Sequence, residues 1–109
     1  MFWNCTSLTV APELPATTLA PYCYSDMFAF CTSLVTAPEL PATTLAQSCY
    51  SNMFYMCTSL NYIKILAIDI TGSGLYIYSV SPTGTFVKSK DAIWDESNII
   101  PEGWTVEYI

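Results

Sequence analysis

The chain is poor in positive charge and lacks two residue types altogether. Its 109 residues contain no histidine and no arginine, and the only basic side chains are those of Lys64, Lys88 and Lys90, so nine carboxylates leave a net charge of -6. Nucleic acids and anionic membrane surfaces require clustered lysine or arginine. We therefore expect no nucleic-acid partner and no attraction to an anionic membrane.

Long apolar runs are also missing. A membrane-spanning helix needs roughly 18 to 20 consecutive apolar residues, and the most apolar run, residues 62–70, contains Lys64 and Asp69. The first four residues lack the basic segment and apolar core of a signal peptide. The sequence thus predicts no membrane insertion and no signal peptide in this chain.

The five cysteines lack the spacing and the partners of a reactive site. Zinc ligands come in short pairs such as C-x-x-C, whereas the closest cysteines here are eight residues apart. A nucleophilic thiol needs a base, and the chain has no histidine. Disulfides between stacked repeats stay an alternative, although the number of cysteines is odd. We expect buried, reduced thiols at Cys5, Cys23, Cys31, Cys49 and Cys57.

The nine carboxylates show no pairing of the kind that acid and base catalysis requires. Asp91, Asp95 and Glu96 cluster in the chain, but without a recognised calcium-loop spacing, so calcium stays a lesser alternative to a solvated rim. The Gly72–Gly74 turn matches neither phosphate-loop pattern. We predict no catalytic residue, no cofactor and no metal, and therefore a protein that is not an enzyme.

An internal repeat organises the first half of the chain. Residues 1–26 and 27–52 match at 19 of 26 positions, and a third copy starts at Met53 and diverges after Leu60. The period lies within the 20 to 29 residues of leucine-rich repeats. We therefore divide the chain into repeats over residues 1–60 (1–26, 27–52 and a partial 53–60) and a C-terminal capping segment over residues 61–109.

Each repeat combines two local signals. Residues 5–11 are rich in β-branched side chains and stop at Pro12, which predicts a brief strand. Apolar residues from Leu19 to Cys31 recur at spacings of three and four, which predicts short helical turns. Stacked copies would place like residues above one another beside a narrow parallel sheet. The expected ladders are Leu8, Leu34 and Leu60; Leu14 and Leu40; Leu19 and Leu45; and Phe2, Phe28 and Phe54.

The repeat unit MFxxCTSLxxAPELPATTLAxxCYSx resembles the BspA-like class of leucine-rich repeats. The tail segments NYIK, GTFVK and IPEGWTV are similar to the segment that closes such arrays. The resemblance implies an α/β repeat fold: a leucine-rich-repeat solenoid of short parallel strands and short helical turns with a small β-rich C-terminal cap. It also implies a cell-surface, extracellular or phage-type protein used for adhesion.

The capping segment changes to β-branched and alternating sequence. Strands are predicted over residues 62–70, 85–88 and 104–108, because apolar and polar residues alternate there or follow turn signals. Trp94 and Trp104 are the expected anchors of a small cap core.

Positions that differ between the repeats are expected on the surface, since the shared core tolerates little chemical change. They define a candidate surface that contacts a protein or glycan ligand. The alternative is a structural subunit, in which the uncovered N-terminal repeat edge joins identical chains into an oligomer or filament. The candidate binding residues are Trp3, Thr9, Tyr22, Phe30, Val35, Tyr55 and Asn61.

Overall fold

The computed structural model describes residues 3–14, 17–77, 79–95 and 99–109. Three strands are present in these ranges: β1, Tyr62–Ile65; β2, Gly84–Lys88; and β3, Trp104–Tyr108. They form one sheet in the order β1-β2-β3, and both pairs are parallel. Parallel neighbours require the chain to return to the same end of the sheet after each strand, so the chain advances in coils.

Single parallel bridges extend this sheet back into the repeats. Val10 pairs with Thr36, and Thr36 pairs with Tyr62. Tyr62 then pairs with Thr85, and Thr85 with Thr105. One parallel ladder therefore runs through the whole chain, and we number coils 1 to 5 by these five residues. Residues 61–109 continue the same sheet that the repeats begin.

Prolines explain why the first two coils contribute bridges and the last three contribute strands. Proline has no N–H to donate to a sheet, and Pro12 and Pro38 follow closely after the bridges of coils 1 and 2. No proline interrupts β1, where Ile63 and Ile65 are fully buried between exposed or half-buried neighbours. A strand therefore forms only where the backbone N–H groups are free of proline and can pair with a neighbouring strand.

The side of the coils away from the sheet consists of consecutive turns, residues 21–30 and 47–56, which we call the turn layer. Alternate N–H groups bond within a coil, as from Cys23 N to Ala20 O at 3.2 Å. The N–H groups between them bond to the next coil, as from Asp26 N to Ser51 O at 2.8 Å. Every fourth residue is left-handed: φ is 57° at Asp26 and 64° at Phe30. Both sets of backbone donors are satisfied by this arrangement.

The predicted α/β leucine-rich-repeat solenoid is wrong, because the described ranges contain no helix where helical turns were expected between Leu19 and Cys31. The left-handed residues explain the error. Each one redirects the chain before an α-helical hydrogen bond to the fourth residue forms. A turn unit of four residues still returns side chains to the core at spacings of three and four, as a helix does.

Like residues do stack in the core. The rings of Phe28 and Phe54 lie parallel, 5.8 Å between centroids and 3° between planes. Leu34 and Leu60 are fully buried, whereas Leu8 is half-buried. The difference arises because no described coil covers the outer side of coil 1. Phe2, the expected first member of the aromatic ladder, lies outside the described residues.

The tryptophans of the last coils are held by hydrogen bonds as well as by packing. Trp104 is buried and its Nε1 donates to Ser81 O at 2.8 Å, while Trp94 Nε1 donates to Ala67 O at 3.0 Å. The strand predictions over residues 85–88 and 104–108 are confirmed, with Gly84 added to the first, and the strand predicted over residues 62–70 ends at Ile65.

Candidate binding surface

Three of the candidate residues form a continuous line of rings. The rings of Trp3 and Phe30 meet edge to face at 5.8 Å, and those of Phe30 and Tyr55 meet edge to face at 5.4 Å. The turn layer positions them, since Phe30 is its left-handed last residue and donates its N–H to Tyr55 O at 2.8 Å. Trp3 is 58% exposed, and the other two are half-buried. We call Trp3, Phe30 and Tyr55 the aromatic line.

Three more candidate residues form a second line at the start of the sheet. Asn61 N donates to Val35 O at 2.9 Å, and Val35 N donates to Thr9 O at 3.4 Å. All three side chains are exposed. We call Thr9, Val35 and Asn61 the strand-start line; it offers one apolar side chain between two polar ones.

Tyr22, the seventh candidate, belongs to neither line. It is exposed at the beginning of the turn layer, where its N–H donates to Gln47 O at 3.0 Å. Among the other variable positions, Ala29 is buried although its counterpart Trp3 is exposed. Variation between repeats therefore indicates surface at most of these positions but not at all of them.

Several exposed apolar side chains were not among the candidates. Val10 is the most exposed of those in the repeats at 75%. Val10 is replaced by threonine in the next repeat, and this variation between copies could have placed Val10 among the candidate binding residues. The others lie in the last coils, where no second copy exists for comparison: Tyr76, Ile93, Tyr108 and Ile109.

The cysteines are free, but they differ in environment. Cys31, Cys49 and Cys57 are buried and Cys5 is half-buried, in line with the expectation of mostly buried thiols, whereas Cys23 is exposed and departs from it. Cys57 Sγ donates to Phe28 O at 3.0 Å. Burial raises the pKa of this thiol to about 12, and burial also raises the pKa of Cys31 and Cys49. These three sulfurs are therefore protonated and unreactive near neutral pH.

The carboxylates of the repeats lie beside an open groove. Glu13 and Glu39 line it together with Ala11, Leu14, Pro38 and Pro41, around a volume of about 360 Å³. Glu39 forms an ion pair with Lys64 at 3.7 Å. Both partners are partly exposed, so solvent screening leaves this pair little net stabilising energy. The described residues that line the groove offer charge and prolines, and none of them is a buried polar group that would orient a substrate.

One other acidic residue, Asp69, is held by hydrogen bonds. Hydrogen bonds from the Thr71 hydroxyl, at 2.6 Å, and from the Thr71 N–H, at 2.9 Å, lower the pKa of the Asp69 carboxyl. Within the described ranges no three cysteine or acidic residues are grouped so as to hold a metal ion. Of the residues considered for calcium, Glu96 lies outside those ranges.

Comparisons with protein-family models, with curated proteins and with solved structures found no match. In the part of the chain that the structure describes, no helix has the length and hydropathy needed to cross a membrane.

Proposed function

We propose that the protein is a non-catalytic binding module that contacts a protein or glycan through the aromatic line and the strand-start line. The observation that carries the proposal is the continuous run of rings from Trp3 through Phe30 to Tyr55, at positions where the repeats differ. Most buried positions keep their residue from copy to copy, with Ala29 as an exception. These positions vary, yet they hold large apolar groups next to solvent.

The geometry suits recognition in two respects. Aromatic side chains supply a large contact area at a low cost in side-chain entropy. Edge-to-face packing against Phe30 restricts both Trp3 and Tyr55 before any partner arrives, so less conformational freedom is lost on binding. The polar groups of Thr9 and Asn61 add hydrogen-bonding partners on either side of the apolar Val35.

Two features favour binding over catalysis. Burial holds Cys57 as a neutral thiol, so it is a poor nucleophile. The carboxylate of Glu39, which borders the open groove of the repeats, forms an ion pair with Lys64. The resemblance of the repeat unit to BspA-like surface proteins supports a location at the cell surface or outside the cell.

The test is to measure binding of the chain to an oligosaccharide array and to a mucin glycoprotein before and after enzymatic removal of its glycans. The site variant carries Trp3→Ser and Val35→Thr, one exposed apolar residue from each line. The matched control carries Tyr76→Ser and Ile93→Ser, which remove exposed apolar groups elsewhere.

We expect the site variant to bind at least about tenfold more weakly, which corresponds to about 1.4 kcal/mol, and the control to bind as the wild type does. Loss of binding on glycan removal would assign the partner as a glycan, and retention would assign it as a protein. Equal affinity of the two variants, or no binding to any of these probes, would contradict the proposal.

A second candidate function is that of a structural subunit which assembles with identical chains. The observation that favours it is independent of the aromatic line: among the described residues, no strand pairs with the outer edge of coil 1 or with the outer edge of β3.

A further inference from the structure

Hydrogen bonds between coils in the turn layer all point the same way. Each donor that the described residues place there lies in an earlier coil, and each acceptor lies in the following one. The donors are the N–H groups of Tyr22, Tyr24, Asp26, Phe28, Phe30, Ser48 and Tyr50. The N–H of Asn4, which is equivalent in the repeat to Phe30, points the same way, to Ala29 O. The N-terminal end of the turn layer therefore presents carbonyl oxygens, and N–H groups point towards the C-terminal end.

The sheet side is open at the same two ends. Among the described residues, β3 pairs only with β2, and the bridge residue of coil 1, Val10, pairs only with Thr36. Alternate residues of a parallel strand bond to opposite neighbours. Thr85 N bonds to Asn61 O of the earlier coil, which orients the equivalent amide of Val10 outward. Ile109 N bonds to Lys88 O, which orients the amide of Val106 outward at the other end.

The end of the stack is large enough for a stable contact. Four spacings of about 4.8 Å separate five coils and give about 19 Å, which matches the shortest extent of the molecule, 20 Å. The other extents, 34 and 30 Å, are then those of the end face. Such a face has an area on the order of 800 Å², which is what one partner of a stable complex buries.

The side of coil 1 that packs on coil 2 shows which kind of surface can pack on the N-terminal end face. Coil 1 covers coil 2 through the Val10–Thr36 bridge and the turn-layer bonds, and coils 1 and 2 are alike at 19 of 26 positions. The outer side of coil 1 therefore has nearly the same chemistry as the side of coil 2 that is already covered. The outer side of coil 1 is therefore complementary to a parallel strand edge that packs on its N-terminal side.

We propose that a second copy of this chain stacks its β3 edge on coil 1, so that the ladder continues from Thr105 of one copy to Val10 of the next. Contact between two N-terminal ends is disfavoured, because it would bring carbonyl oxygens against carbonyl oxygens. The two surfaces in contact are different, so assembly is head to tail and does not close at a dimer. Apolar Tyr108 and Ile109, 59% and 52% exposed, lie at the approaching edge.

The test uses one variant for each edge. Val10→Pro removes the outward N–H of coil 1, and Val106→Pro removes the outward N–H of β3; proline is tolerated at edge strands. Sedimentation velocity is measured from about 1 µM to about 1 mM, the range expected for an interface of this size. The wild type should form a concentration-dependent series of oligomers, and each variant alone should stay monomeric. An equimolar mixture should form a one-to-one dimer and nothing larger, because each variant retains one intact edge.

A second measurement on the wild-type chain needs no variant. Hydrogen exchange at the amides of Val10 and Val106 should slow together as concentration rises. Association should strengthen with added salt, because both copies carry a net charge of -6 that salt screens. A wild-type chain that stays monomeric throughout, a Val106→Pro variant that still dimerises, or protection of Val10 without Val106 would each overturn the proposal.

Discussion

Gly84 is the residue where two neighbouring coils leave no room for a side chain. A Cβ atom there would lie 2.7 Å from Asn61 O and 2.7 Å from a ring carbon of Trp104. Both neighbours are fixed, since Asn61 O accepts from Thr85 N and the Trp104 indole is hydrogen-bonded. We expect Gly84→Ala to lower the free energy of unfolding by about 1 to 3 kcal/mol, the usual cost of overpacking.

Urea denaturation followed by tryptophan fluorescence measures this loss. Thr83→Ala, an exposed neighbouring change, is the control and should shift the midpoint little. A Gly84→Ala chain as stable as this control would show that the last two coils can separate without cost.

The buried thiols predict a loss of stability at alkaline pH. The folded pKa of Cys57 is raised from 9.0 to about 12, so the unfolded chain loses this proton first. The stabilising contribution is complete below pH 9 and disappears as the pH rises through 12. The free energy of unfolding should fall with a slope of at most about 1.4 kcal/mol per pH unit for each such thiol.

The slope is obtained from urea midpoints recorded at several pH values. Cys57→Ala should be less stable at pH 7 and should show a shallower fall between pH 9 and 12, whereas Thr58→Ala keeps the wild-type slope. An unchanged slope in Cys57→Ala would mean that the thiol ionises as readily in the folded chain as in the unfolded one.

The turn layer is an element whose residues carry backbone strain. Left-handed φ costs an ordinary residue roughly 1 to 2 kcal/mol, and asparagine and aspartate tolerate it best. Asp26 has a φ of 57° and is replaced by asparagine, also left-handed, in the next repeat. We expect Asp26→Val to destabilise by about 1 to 2 kcal/mol and Asp26→Gly to be neutral or stabilising by up to about 1 kcal/mol.

Thermal unfolding of the two variants measures the difference between them. Ala20→Val places the same side chain on an exposed residue without left-handed φ, and it should change the midpoint little. Equal effects of Asp26→Val and Asp26→Gly would refute the assignment of strain to this backbone position.

The strands were largely predictable from sequence, and the turn layer was not. Alternation and β-branched residues mark β2 and β3, and a strand buried on one face depends on this local pattern. The spacing of Leu19, Cys23 and Met27 is equally compatible with a helix and with four-residue turn units. Only the backbone distinguishes them, through bonds from Tyr22 and Asp26 to the next coil. Such bonds depend on a neighbouring coil, which a local window of sequence does not contain.

The candidate surface was predictable to the extent that one repeat could be compared with another. Variation between copies correctly indicated that Trp3 and Val35 are exposed, and the structure adds that Trp3 contacts Phe30. Exposure of Cys23 depends on its place in the outermost coil, because the equivalent Cys49 is fully buried one coil further in. Identical local sequence therefore has different exposure at the end and in the interior of the stack.

At the scale of the whole molecule, stability should grow with the number of coils. Contacts run mainly between adjacent coils, so the free energy of unfolding is approximately a sum over coils and their interfaces. We expect insertion of a second copy of residues 27–52 after Asn52 to raise the urea midpoint and to lengthen the stack by about 4.8 Å. A larger denaturant slope should accompany the change, because more surface is buried.

Small-angle scattering and urea denaturation provide the two measurements. The control insert carries aspartate in place of the residues equivalent to Phe28 and Leu34, which are fully buried in the native coil. It should not stack, and it should leave the midpoint at or below that of the wild type. A native-sequence insert that fails to stabilise the chain would contradict the additive description.

The parallel ladder has a mechanical consequence. Coil 1 and β3 lie at opposite ends of the stack, so a force that pulls the two chain termini apart acts on the outermost coil first. The hydrogen bonds between adjacent coils then break sequentially, a few at a time. They do not all bear the load together, as they would in shear. Each coil of the repeats would release 26 residues, up to roughly 90 Å of extended chain. We expect a stack of this kind to extend in steps at low force and to recover by restacking.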